Sequence, residues 1–484
     1  MVAALERADR TTILGGAALA LVMAFLAYVI APATPLRIGF GIAVAVAPVL
    51  LYLAVRRPLI FPYALLVMVA PFEELAVIPG FGTISKTLGF VAGASLVISL
   101  LIRGRAVPPP RTLLAWGALI AWIAFSAVWS IDQNASLLWL AQNAELIALY
   151  VMISITPADD LDLGALTWAA IVGGGASAAF GIYLFLTNPS LIQDGNRLYI
   201  AVGHQGIDPN HYANALLPAI AILMMSFLAA RRLADKAVFG FAAAMIATGV
   251  FLSGSREALV AIGAILIYFA LRSAYRKQAW LITAFFAGLA LGMPNVLTRF
   301  LQGVTDGGAG RTSIWAVALE ALRSNWLLGS GAGTFSAAYD QAFLHVFQPH
   351  FAGWGRAAHN TPLEFAVELG VIGFAVFAVC WFSHFRLLRT IQPGSRFYDL
   401  RIAFEGALFG LTIASFFISA WTYKYVWIAF SLILILRSRA LVDAAVQKMA
   451  PQIDRRPALG PGRSAGVPLP LAAHRRAAIG RRAG

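Results

Sequence analysis

Three side chains in this sequence of 484 residues have the chemistry and the setting that group transfer from an anionic carrier demands: Arg256, Arg311 and His359. Arg256 follows a tight Ser-Gly-Ser turn in "FLSGSREALVAI" and opens an apolar run, and Arg311 opens a second run, "GRTSIWAVALEALRSNW". His359 and Asn360 stand just ahead of a third, "TPLEFAVELGVIGF". A guanidinium at the first residue of a helix opposes the partial positive charge there. It is always charged and costly beside hydrocarbon, so it calls for an anionic partner, either a diphosphate or, in the competing reading, a lipid phosphate. An imidazole with an unperturbed pKa of about 6.5 can take up a proton at neutral pH. Arginine forks can neutralise a departing diphosphate while a base deprotonates the attacking hydroxyl. No Cys/His cluster and no aspartate pair of metal-binding spacing is present, so the chemistry is expected to need no metal and no cofactor.

The neighbouring residues leave alternatives open. Asn360 is placed to cap the following helix, whose first turn tolerates Pro362, and amides there favour an anion beside His359. On the residues alone, His359 reads equally as a base or as an interfacial histidine. Glu364 and Glu368, one turn apart, either orient the ring or line a bundle. In "VGHQGIDPNHYANALLP", Asp208, Pro209 and Asn210 signal a turn, with Asn210 expected to cap the next helix. His204 and His211 have the solvated reading as the commoner one, and Arg197 is a phosphate contact or a snorkelling anchor. "GSGAGTF" lacks the lysine and preceding strand of a phosphate cradle and is expected to be a flexible turn.

The elements that must position these groups are membrane helices. With 60% hydrophobic and 12% charged residues, the chain has too little polar surface to coat a water-soluble body of its size. Apolar runs of about 18 to 22 residues recur, each long enough to cross the hydrocarbon as a helix. They fall near 12–31, 37–55, 59–78, 87–102, 112–130, 135–155, 164–187, 212–230, 237–253, 257–271, 279–297, 362–385, 402–420 and 425–437. The expectation is therefore an all-α polytopic protein with about 12 to 14 spans, the first a retained helix rather than a signal peptide.

Arg and Lys cluster in alternate connections, as at Arg56 and Arg57, Arg103 to Arg111, Arg231 to Lys236, Arg272 to Lys277 and Arg386 to Arg401. By the positive-inside rule those connections and both termini are cytoplasmic, against which the acidic Asp159, Asp160 and Asp162 weigh little. The net charge of +14 is accordingly a topology signal, and nucleic acid is not an expected partner. The single cysteine, Cys380, lies inside an expected span and supports no disulfide framework.

Three regions follow: N-terminal spans over 1–187, a membrane region over 188–437 that includes a long outer loop at 298–361, and a basic tail over 438–484 expected to be disordered. In the loop, Ile314, Val317, Ala318, Ala321 and Leu322 share one helical stripe, with Ser313, Glu320, Arg323 and Ser324 opposite. Such a helix is expected to lie along the membrane interface, anchored by Trp315 and Trp326.

"DPNHYANALLP", "SGSREALV", "GRTSIWAVALEALRSNWLLGSGAGTF" and "AHNTPLEFAVELGVIG", in that order across about 190–385, resemble the O-antigen ligase and O-antigen polymerase superfamily of bacterial membrane glycosyltransferases. The resemblance implies a GT-C-like fold in the inner membrane, with a periplasmic active site under the large loop. It implies a glycan donor on undecaprenyl diphosphate, transferred with inversion and without a metal ion. By the same resemblance Arg256 and Arg311 bind the diphosphate, His359 is the acceptor's base, and Asn210 and Asn360 line the substrate site. The acceptor it implies is a glycan, lipid A-core or a protein hydroxyl, and membrane lipids are partners throughout. The competing class is a transporter or flippase, for which Glu73, Glu74, Gln142, Asn143 and Glu145 within expected spans would mark a path.

Overall fold

The long apolar runs become helices partly because each starts on a side chain that takes up a free backbone amide. Thr83 accepts from Lys86 N at 3.2 Å, Asp132 from Ala135 N at 2.9 Å, and Asp159 and Asp162 form a reciprocal capping box. The computed structural model describes residues 48–75, 77–78, 82–193, 197–202, 205–292, 298, 308, 310–346 and 353–454. The chain falls into two compact units, Ala54–Ala444 and a second made of Met1–Leu53 with Ala445–Gly484. Every candidate site residue belongs to the larger unit, Ala54–Ala444.

In chain order the helices are α1 Pro48–Arg56, α2 Leu59–Phe72, α3 Ile84–Arg103, α4 Thr112–Ser126, α5 Gln133–Ile155, α6 Asp160–Thr187, α7 Pro209–Ala229 and α8 Leu233–Ser253. They continue as α9 Arg256–Arg272, α10 Arg276–Gly292, α11 Arg311–Ser324, α12 Phe335–Phe343, α13 Thr361–Leu387, α14 Tyr398–Ser415 and α15 Lys424–Asp454. Among the described residues the only sheets are three two-stranded antiparallel hairpins, Val77–Ile78 with Gly82–Thr83, Ile192–Gln193 with Arg197–Leu198, and Ile200–Val202 with Gln205–Ile207.

The protein is thus an all-α polytopic membrane protein, and every span expected from residue 59 onward coincides with a helix. Seven described helices are long and apolar enough to cross a membrane, eight if α1 and α2 form one bent span. Fewer pass than expected because α4, α9 and α10 have only 15, 17 and 17 residues and α14 carries Asp399, Arg401 and Glu405. The expected span at 12–31, most of that at 37–55, His204, and parts of the outer loop and tail lie outside the described residues. The last helix runs on past the expected boundary at 438 to Asp454. Large apolar side chains such as Leu101, Leu114, Leu186, Phe241 and Phe285 stand exposed, as the surface of a bundle in lipid requires.

Two expectations for the outer loop change. The apolar stripe of α11 is buried against protein rather than laid on lipid: Ile314, Val317, Ala318 and Ala321 pack with Phe335, Ala338, Tyr339 and Ala342 of α12 and with Val367 of α13. Neighbouring helices close over the stripe, half-buried Trp315 donates through Nε1 to Ala358 O, and Trp326 is exposed.

The "GSGAGTF" segment is not a flexible turn. It is wedged into a break in α13 at Gly370, whose φ of 67° leaves the helical region. The break frees the carbonyls of Val367, Glu368 and Leu369, which accept from Ser330 N at 3.0 Å, Gly331 N at 2.8 Å and Trp122 Nε1 at 3.0 Å. A Cβ on Gly370 would run into the Leu327 carbonyl, in a conformation only glycine adopts freely. Gly370→Ala is expected to cost about 1–3 kcal/mol of stability, read as a lower melting temperature in detergent; an unchanged melting temperature would mean that the wedge yields freely.

Candidate functional site

The turn ahead of α9 is built from its own serines. Ser253 Oγ donates to Val250 O at 2.7 Å and accepts from Ser255 N at 3.2 Å, Gly254 turns the chain at φ 62°, and Ser255 caps Ala258 N at 3.4 Å. The result places Arg256, half-buried, as the first residue of α9 with Glu257 behind it. Glu257 reaches across to the start of α11, where its Oε1 lies 3.5 Å from Arg311 Nη2. The side chains are 3% and 16% exposed, so this is a shielded ion pair. It fastens the two arginine-bearing helix starts together, and the sequence reading did not foresee it.

The neighbouring loop is tied to the same turn. Arg197 Nε donates to Ser253 O at 2.8 Å, and another of its guanidinium nitrogens donates to Asn210 Oδ1. Asn210 is not the cap of α7. That role falls to Asp208, whose carboxylate accepts from Asn210 N at 2.8 Å and His211 N at 3.3 Å, because the helix starts at Pro209, two residues earlier than a cap at Asn210 requires. His211 is not left in solvent: it stacks on Tyr423 at 3.6 Å and hydrogen-bonds Tyr425 Oη through Nδ1 at 3.0 Å. Glu74 accepts from Asp208 N at 3.3 Å, and Glu73 pairs with Lys424. Both glutamates therefore brace these loops. Asn143, buried in α5, donates to Trp139 O within its own helix.

His359 is held from both sides. Trp315 Nε1 donates to the carbonyl of Ala358 at 3.0 Å. Asn360 caps α13 as expected, accepting from Leu363 N at 2.9 Å. Thr361 is locked to the turn before α15 through Oγ1, which donates to Ile418 O at 2.7 Å and accepts from Ala420 N at 2.9 Å. Between these anchors His359 has φ 44°, the only described non-glycine residue with positive φ. A side chain in that region costs of order 1–3 kcal/mol and persists only where its surroundings impose it.

Burial first, and the Arg311 guanidinium second, hold the His359 imidazole below its usual value; Arg356 adds to this while Asp208 and Glu257 oppose it. The ring is therefore neutral at pH 7 and able to accept a proton. Glu368 does not orient it, because its Oε1 accepts from Phe335 N at 3.1 Å at the start of α12.

Arg311 and His359 are thus within electrostatic reach of each other, and Arg256 stands next in the chain to Glu257, which pairs with Arg311. The Oδ1 atoms of Asn210 and Asn360 are already engaged by Arg197 and Leu363 N. Arg356 was missed by the sequence reading, though it stands three residues before His359 in "GWGRAAHN"; its Nε is buried and has no partner among the described residues. Among the described residues no three His, Cys, Asp or Glu side chains converge as metal ligands. Chemically the cluster offers cations for an anion beside a neutral base.

Residues 241–378 match a protein family described as O-antigen ligase, a stretch that contains Arg256, Arg311, His359 and Asn360 and supports the superfamily read from the motifs. No curated protein matches the chain.

Proposed function

From an O-antigen ligase domain at residues 241–378 as the premise, we propose that the protein is a glycosyltransferase that moves a glycan from undecaprenyl diphosphate to a hydroxyl acceptor. The reaction is placed on the periplasmic face of the bacterial inner membrane, with both termini in the cytoplasm. The observation that carries this reading is the shielded Arg311–Glu257 pair set beside a neutral, backbone-constrained His359.

In the proposed step the acceptor oxygen attacks the anomeric carbon from the face opposite the diphosphate. A carbon–oxygen bond forms as the bond to phosphate breaks, which inverts the centre. The acceptor proton passes to the His359 imidazole, and the undecaprenyl diphosphate leaves with its charge met by Arg256 and Arg311. Two guanidinium groups supply the positive charge that a divalent ion supplies elsewhere, so the reaction proceeds without one. A glycan chain or lipid A-core is the favoured acceptor, which makes the protein a ligase or a polymerase; a protein hydroxyl ranks below both.

The test is the full chain in proteoliposomes, supplied with a polyprenyl-diphosphate-linked oligosaccharide and a glycan acceptor. A new glycosidic bond is expected, formed equally well in the presence of a chelator. Movement of the lipid-linked glycan across the bilayer with no new bond would replace this reading with a flippase.

A further inference from the structure

A second feature begins beside the site and runs away from it into the bundle. Between α3, α5 and α15 lies a cavity of about 370 Å³, within the range of sites that hold small ligands. Its walls are apolar or small, with Gly89, Gly93, Leu146, Leu149, Trp427 and Ile428 among them. Along α3 it extends from Ser85 to Val97, about 18 Å at 1.5 Å per residue. On the seam between α3 and α5 the residues Phe90, Val97 and Ala148 are exposed, so the cavity opens sideways toward lipid.

Its polar end is defined by Lys424 and Glu145, the latter within the electrostatic reach of Lys86, Lys424 and Glu73. Lys424 directly follows Tyr423, whose ring stacks on His211, and His211 lies within electrostatic reach of His359. The mouth of the cavity therefore adjoins the cluster that holds His359, and its depth points into the hydrocarbon.

We infer that this cavity holds the hydrocarbon chain of the lipid-linked donor, admitted laterally from the bilayer, with the charged end of the lipid emerging at Lys424 toward the arginines. This rests on the transferase reading above. A bulk lipid needs no channel among three helices, since its chains lie against the outside of the bundle. A substrate lipid has to be registered along its length so that its diphosphate reaches Arg256 and Arg311. Gly89 and Gly93 carry the same implication: a Cβ added at either meets nothing within 4 Å. Those glycines are not demanded by helix packing, and they leave a chain-wide space open.

The experiment uses the full-length protein in proteoliposomes and fills the cavity from α3 with Gly93→Leu and, separately, Gly89→Leu. At both positions the first added carbon meets nothing within 4 Å, and Gly93→Ala is the fold control. Transfer from a long-chain polyprenyl-diphosphate-linked glycan is expected to fall at least tenfold, chiefly as a raised KM. Transfer from a donor with a two-isoprene chain, too short to occupy the cavity, is expected to stay at the parent level.

In parallel, a polyprenyl diphosphate carrying a diazirine in its chain is expected to label peptides from 84–103 and 133–155. Unlabelled polyprenyl diphosphate should compete, phospholipid should not, and Gly93→Leu should abolish the labelling. Parent-level transfer from the long-chain donor in both leucine variants, or labelling displaced equally by phospholipid, overturns the assignment. Specific labelling in a protein that forms no glycosidic bond sinks the transferase reading and leaves the lipid site standing.

Discussion

Replacing His359 by asparagine is expected to lower transfer by about 10²- to 10⁴-fold, the range that a positioned general base supplies. Asparagine is the more informative replacement because it tolerates the left-handed backbone better than alanine and cannot act as a base at neutral pH. The positive φ of His359 makes alanine a test of folding as well as of chemistry. The two variants together separate these effects: both are expected to lose transfer, and the asparagine form to keep the parent melting temperature.

The pH dependence arises from the same environment. A base works while neutral, so activity is present above the imidazole pKa and lost as the pH falls through it. Burial and Arg311 hold that pKa below 6.5, which puts the acid limb of kcat/KM below pH 6.5. Removing one opposing cation by Arg356→Gln is expected to move the limb upward toward 6.5. An asparagine variant with parent kcat/KM, or an acid limb well above 6.5 in the parent, sinks the assignment of His359 as the base.

The second large effect is at Arg311. Arg311→Ala is expected to cost about 10²- to 10³-fold in kcat, comparable with removing one donor that stabilises developing charge. Arg311→Lys should recover only part of it, because an ammonium cannot match two phosphate oxygens with a planar fork. Structure and chemistry are entangled here, since the alanine strands the Glu257 carboxylate, which is only 3% exposed. Breaking a buried pair from one side costs about 3–5 kcal/mol.

The double variant Arg311→Met with Glu257→Gln removes both charges together and separates the two effects. Its melting temperature is expected to return most of the way to the parent's while transfer stays at the Arg311→Ala level. Recovery of transfer together with stability would reduce Arg311 to a structural post. Glu257→Gln alone keeps the guanidinium but loosens it, and a loss of about tenfold, mostly in kcat, is the expected reading.

Much of this architecture can be read along the chain because its signals are local. Apolar runs located every membrane-length helix from residue 59 onward but gave no sign of α12, Asn360 announced its cap, and the stripe from Ile314 to Ala321 named the buried face of α11. The partner of that face was misjudged, because periodicity says which side is apolar and not whether lipid or protein covers it. Asp208 and Asn210 are both able caps two residues apart, and only the position of Pro209 decides between them. The Glu257–Arg311 pair joins residues 54 apart in sequence, a distance across which no spacing rule reaches. The break at Gly370 was invisible because the hydropathy of "VELGVIGF" continues unchanged through it. Arg356 was overlooked for a related reason, since nothing in its immediate neighbours tells that its Nε is shut away from solvent.

The interrupted α13 also sets how the protein tolerates change. Amides of residues 330 and 331 join this helix to the stretch that comes after α11, and such bonds do not depend on which side chain each residue bears. On that stretch Ser330, Ala332 and Thr334 are buried, and Gly329, Gly331 and Gly333, like Gly370 opposite them, have positive φ and press against a neighbour, so room for change is left at its exposed start, from Asn325 to Leu328. Drift at that exposed start can reshape the outer surface, while the bonds at residues 330 and 331 and the Glu257–Arg311 pair keep the helix starts in place.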